Sequence, residues 1–206
     1  MRPKHGIDVD RMRAFADAVF SIAITLLALD MAVPKGLPSG QLGHALREEL
    51  PAVAGYALSF VVVGALWLSH HRLFGMVRVL DHALLYVELA LLALVAALPF
   101  PTRVISDYHD SAVATSLYAA TISAAALLIT AMFLLLRMRP ELRGEEVRDE
   151  AVTHAVLLSG TVAAVFATSV PLTLISPSAA EYWWILVVPV RRWLNRRHHP
   201  VAEAVA

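Results

Sequence analysis

The run RMRAFADAVFSIAITLLALDMAV at residues 11–33 constrains this chain more than any other stretch, because it is apolar over membrane length yet holds an acid near each end. A bilayer core takes roughly 20 helical residues, and Ala14 to Val33 supplies them. Asp17 lies inside that run. A carboxylate at the bilayer centre costs roughly 2.5–3.5 kcal/mol on insertion scales, and less toward an end, so this acid needs a partner or a task. On a helical projection Ile22, Leu26 and Leu29 recur at i, i+4 and i+7, in line with Phe15, Ala18 and Val33, with Thr25 at the edge of the stripe. Asp17 and Arg13 project from roughly the opposite side, near Ser21. One face is an aliphatic ladder with a single hydroxyl. The other is a polar foot suited to gripping the helices that follow.

Further apolar runs predict an all-α integral membrane protein, one domain over 1–206, with six transmembrane helices at about 11–33, 51–70, 81–99, 111–137, 151–175 and 178–194. QLGHALREEL adds a short surface helix before Pro51. Pro99 and Pro101 are expected to end the third span. The sixth is the weakest: Tyr182 to Val190 is its uncharged centre, so Arg191 must snorkel for it to cross. At 58% hydrophobic, a chain of 206 residues is too apolar for a soluble domain. A net charge of zero gives no attraction to nucleic acid, and the absence of cysteine removes disulfides and thiolate metal sites. The first run lacks a small-residue cleavage pattern, which argues against a removable signal peptide. Of the 17 Lys and Arg residues only Lys35, Arg47 and Arg103 fall on the side opposite the termini. That bias predicts a multi-pass protein of the plasma membrane with both termini cytoplasmic. Trp183, Trp184 and Trp193 are read as interfacial anchors, and the charged stretch 137–150 as a solvated loop.

Chemistry-bearing side chains are few. Asp17 is expected in a buried pair, with Arg11, Arg13, Trp67 or His71 as partners. His70 and His71 diverge by about 100° on a helix and cannot easily share one metal, so a packed, hydrogen-bonded histidine is expected instead. Glu88, in mid-span, must face protein or water, and His70 is its candidate partner. No H-E-x-x-H, G-x-S-x-G or phosphate-binding glycine loop occurs, so no enzyme chemistry, cofactor or metal is assigned. A TVGYG-like potassium filter is absent too. A metal-binding membrane enzyme using His70, His71, Glu88 and Asp17, or a non-conducting scaffold, stays open at this level.

Arg11, Phe15 and Asp17 stand as R-x-x-x-F-x-D, which resembles the R-x-x-x-F-S-D signature opening the first helix of the transmembrane protein 175 potassium channels. SFVVVGALWLSHHRLF and ALPFPTRVISDY are similar as well, so the resemblance covers about the first 108 residues by motif and the rest by helix count. Two positions depart from it: Ala16 stands where the family has Ser, and Glu88 where Asn is expected. The resemblance implies a potassium-selective cation channel, a homo-oligomer and typically a tetramer, with the first helix of each subunit lining a central pore. By position it implies Ile22 as the narrowest hydrophobic constriction and Leu26 and Leu29 as further layers. Thr25 becomes the hydroxyl that influences selectivity. Arg11, Phe15, Asp17, Trp67, His70 and His71 become a structural polar network. A proton-permeable or weakly selective cation leak is the alternative within transport.

Overall fold

The structure is a computed structural model and describes residues 8–30, 36, 38 and 40–198. The helices are α1 (Val9–Leu27), α2 (Leu42–Glu48), α3 (Leu50–Met76), α4 (His82–Ala97), α5 (Pro99–Asp107), α6 (Ala112–Met138), α7 (Asp149–Thr173), α8 (Pro177–Trp184) and α9 (Val187–His198). Short 3-10 turns cover Ala28–Asp30 and Pro140–Leu142. Among the described residues the only β pairing is an isolated bridge, Val77 to Arg143. Side-chain caps fix several starts: Asp8 accepts from the Asp10 amide, Asp81 from Leu84, Ser111 from Ala114 and Ser176 from Ala179.

Among the described residues four segments are long and apolar enough to cross a bilayer: Leu50–Met76, His82–Asp107, Ala112–Met138 and Asp149–Thr173. α6 is the central one, with 56% of its most apolar window buried against 17% for α3. It pairs with α7 and also receives α3, α4 and α5. α1 packs against α3, α4 and α5, while α8 and α9 lie on α7. The buried core therefore runs from Phe20 and Leu27 on α1, through Leu84 and Leu91 on α4 and Ile122 and Ile129 on α6, to Phe166 on α7.

Several boundaries differ from those expected. α1 ends at Leu27 and passes into the Ala28–Asp30 turn, and the expected continuation over residues 31–33 lies outside the described residues. α3 runs past 70 to Met76. Pro99 and Pro101 break the helix as expected, α4 ending at Ala97, but the apolar segment continues to Asp107 because the prolines occupy the first turn of α5, where a missing N–H leaves no intrahelical bond unmade. The last segment is not one helix. It breaks between α8 and α9 at Ile185–Leu186, where the Pro189 ring conflicts with the carbonyl of residue 185 one turn earlier.

The stretch 137–150 is docked rather than freely solvated. Arg78 N and Val79 N donate to Leu142 O at 2.8 and 3.1 Å, and Gly144 N donates to Met76 O at 3.1 Å. Arg139 pairs with Asp81 at 2.6 Å and Arg78 with Glu145 at 2.8 Å. The α3–α4 and α6–α7 connections are thus latched to each other.

Candidate functional site

α1 presents three faces. Met12, Ala16, Phe20, Ala23 and Leu27 are buried against the neighbouring helices. A second stripe is bare: Phe15 is 52% exposed, Ile22 58%, Leu26 41% and Leu29 72%. Arg11 and Thr25 are exposed on the same side, and the Thr25 hydroxyl donates to Ile22 O at 2.8 Å. The aliphatic ladder of the sequence is therefore the side of α1 that the rest of its own chain leaves uncovered.

The third face carries Asp17. Trp67 Nε1 on α3 donates to Asp17 Oδ1 at 2.8 Å, closing one side of a small cavity lined by Asp17, Phe20, Ser21, Ile24 and Trp67. His71 lies against the Trp67 ring with centroids 5.3 Å apart, and among the described residues Trp67 is the side chain that hydrogen-bonds the carboxylate. Among the described residues no arginine pairs with Asp17, contrary to expectation. Arg13 instead sits 3.9 Å from Asp10 and donates to the Phe74 carbonyl, so it fastens α1 to the end of α3. One turn of helix separates Arg13 from Asp17, and the Phe74 carbonyl draws the guanidinium the other way.

His70 is enclosed on three sides. Its ring lies 4.6 Å from Phe74 and 5.3 Å from Phe20, and its Nε2 is 2.8 Å from Glu88 Oε1, with both side chains fully buried. Among the described residues His70 Nδ1 and Glu88 Oε2 find no hydrogen-bond partner. His71, exposed on the adjoining face, is not part of this pair. No group of three or more His, Asp or Glu suited to a metal occurs among the described residues.

Sequence reasoning missed the hydroxyl contacts between helices. Ser59 on α3 meets Thr102 on α5 at 3.0 Å and Tyr118 on α6 at 3.2 Å. Ser116 meets Thr173 at 2.5 Å. Trp184 is not an interfacial anchor: it is buried between Tyr118 and Phe166, and its Nε1 donates to Ser169 Oγ at 2.9 Å. Single hydroxyls in apolar helices carry no periodic signal, so only the packing reveals which of them meet.

Chemically, the arrangement offers a buried acid–histidine pair, a tryptophan-held carboxylate and an uncovered apolar stripe. Residues 11–99 match the family described as the endosomal/lysosomal potassium channel TMEM175. A relative from Streptomyces collinus, named a potassium channel, is 42% identical over 127 residues, 60% of this chain and 62% of the relative. A human relative named endosomal/lysosomal proton channel TMEM175 is 39% identical over 98 residues, 44% of this chain and 19% of the relative. The chain thus matches less than two thirds of the length of these curated relatives. A crystal structure of a lysosomal potassium-selective channel TMEM175 homologue from Chamaesiphon minutus superposes with a TM-score of 0.76 at 26% identity, covering 93% of this chain and 98% of that one. These relatives are named as channels, not enzymes, and with four membrane-length apolar helices the chain is a membrane protein.

Proposed function

We propose that this chain, a member of the TMEM175 family through residues 11–99, is the subunit of a potassium-selective cation channel whose first helix lines the pore. One domain over 1–206 crosses the plasma membrane six times with both termini in the cytoplasm, the added crossings being α1 and the broken α8–α9 pair. Four copies surround a central axis. Ile22 forms the narrowest ring, Leu26 and Leu29 form further layers, and Thr25 supplies the one hydroxyl near the constriction. A ring of isoleucines gates by dewetting, closing to ions until it widens or rotates. Trp67 through Asp17 and His70 through Phe20 hold α1 in place, with His71 against the Trp67 ring, while Arg11 and Phe15, expected in the same network, stand on the uncovered stripe.

The uncovered stripe on α1 carries this reading. α1 holds four charges, Asp10, Arg11, Arg13 and Asp17, and is not among the four helices apolar enough to cross a membrane by composition. A helix of that kind is tolerated at membrane depth where it faces protein or water. Its free stripe therefore fits a shared conduit better than lipid.

The second reading is a proton-permeable channel, favoured by the name of the human relative. Reversal potentials recorded from the purified chain in liposomes, in separate potassium, sodium and proton gradients, test both. A potential following the potassium gradient supports the first, and one following pH the second. Absence of any flux would sink both.

A further inference from the structure

A cleft of about 490 Å³ opens between α3 and the α8–α9 segment, floored by α6 and α7. No residue of α1 lines it, and its walls include Leu58, Val61, Ala65, Phe166, Trp184 and Val188. Its volume falls within the roughly 300–1,000 Å³ typical of small-ligand pockets. From Leu58 to Ser69 the α3 wall rises about 16 Å at roughly 1.5 Å per residue. That is close to half of the roughly 30 Å hydrocarbon core, the depth of one leaflet.

Charge is unevenly spread over the lining. Arg191, Arg192 and Asn195 line it from α9, and Arg72 near the end of α3 is close enough to Arg191 for the two cations to repel. Among the described residues no carboxylate lies within ion-pair distance of Arg72, Arg191 or Arg192. Glu181, the one acid of the lining, lies on α8, ten residues and a helix break before Arg191, and is near His109 and Asp110 of the α5–α6 connection. Like charges without a counter-charge, at the end of an apolar slot one leaflet deep, match an anion attached to a hydrocarbon chain. Guanidinium groups suit phosphate oxygens, and basic pockets between membrane helices recognise anionic headgroups.

We propose that this cleft holds an acyl chain of an anionic phospholipid, with its phosphate at Arg191, Arg192 and Asn195 and Arg72 adding to the field. The site depends on membrane embedding and not on conduction, so failure of the flux experiment would leave it standing.

Quenching of tryptophan fluorescence tests it, since Trp184 lines the slot. The full chain is placed in phosphatidylcholine vesicles with rising fractions of dibrominated phosphatidylglycerol, beside a matched series containing dibrominated phosphatidylcholine. Quenching by the anionic series should saturate at a lower mole fraction. Arg191→Gln and Arg192→Gln should each move that midpoint up by about fivefold, the weight of one basic residue near an anionic surface. Ala65→Phe, which fills the slot and keeps the arginines, should remove the selective component. Lipid retained through detergent purification, counted by native mass spectrometry, should rank the variants identically and needs no fluorescence. Equal quenching by both lipids, or midpoints unmoved by the arginine variants, would overturn the site. So would disulfide-linked dimers of Val61→Cys in this otherwise cysteine-free chain, since they would put a second copy in the cleft.

Discussion

His70 Nε2 lies 2.8 Å from Glu88 Oε1 with neither side chain reaching solvent, and Phe20 of α1 rests on the same imidazole. Three helices therefore meet at one polar contact. Removing one partner of a buried pair typically costs ~3–5 kcal/mol, because the group left behind is desolvated and unpaired. Glu88→Ala should lower the midpoint of thermal aggregation in detergent by far more than Glu88→Gln, which can still meet the ring nitrogen. Equal midpoints for the two variants would refute a polar role for this contact.

Trp67 and Asp17 make a charge-assisted hydrogen bond on the flank of α1. Trp67→Phe keeps the ring and loses the donor, at a cost of about 1.5–3 kcal/mol. Asp17→Ala should reduce the yield of assembled protein on size exclusion rather than alter ion preference alone. Normal assembly with changed selectivity would move Asp17 from a structural to a conducting role.

Ile22→Asn places a hydrogen-bonding group in the middle of the uncovered stripe and should wet the proposed constriction. Leak current in liposomes should rise, whereas the same change at Leu127, exposed on α6, should not raise it. A silent Ile22→Asn would argue that this stripe faces lipid.

Asp81 both caps α4 through the Leu84 amide and pairs with Arg139. Loss of an N-cap costs about 1 kcal/mol, whereas a partly exposed ion pair contributes roughly 0–1 kcal/mol. Asp81→Ala should therefore destabilise more than Arg139→Ala, by thermal melting followed in the same detergent.

Legibility in the sequence followed periodicity. The ladder of Ile22, Leu26 and Leu29 could be drawn from spacing alone, and so could the opposed position of Asp17, because both are properties of a single helix. Glu88 and His70 could be matched as the two polar residues of neighbouring apolar runs. What failed to show was anything set by packing. Spacing pairs Arg13 with Asp17, whereas in the fold its guanidinium donates to the Phe74 carbonyl. Pro99 and Pro101 carry the same ring whether they stop a helix or start one, and here they do both, α4 ending at Ala97 and α5 starting at Pro99 with Leu98 at helical dihedrals between them. Trp184 reads as a membrane-surface residue by type, yet Ser169 and Phe166 draw it inward.

The backbone latch joining Met76–Val79 to Leu142–Gly144 sets where this molecule can give way. Arg13 clips the foot of α1 to the same corner through Phe74, so that corner is a fixed heel for the first helix. Any swing of the first helix then has its fulcrum there, and its travel grows toward Leu29.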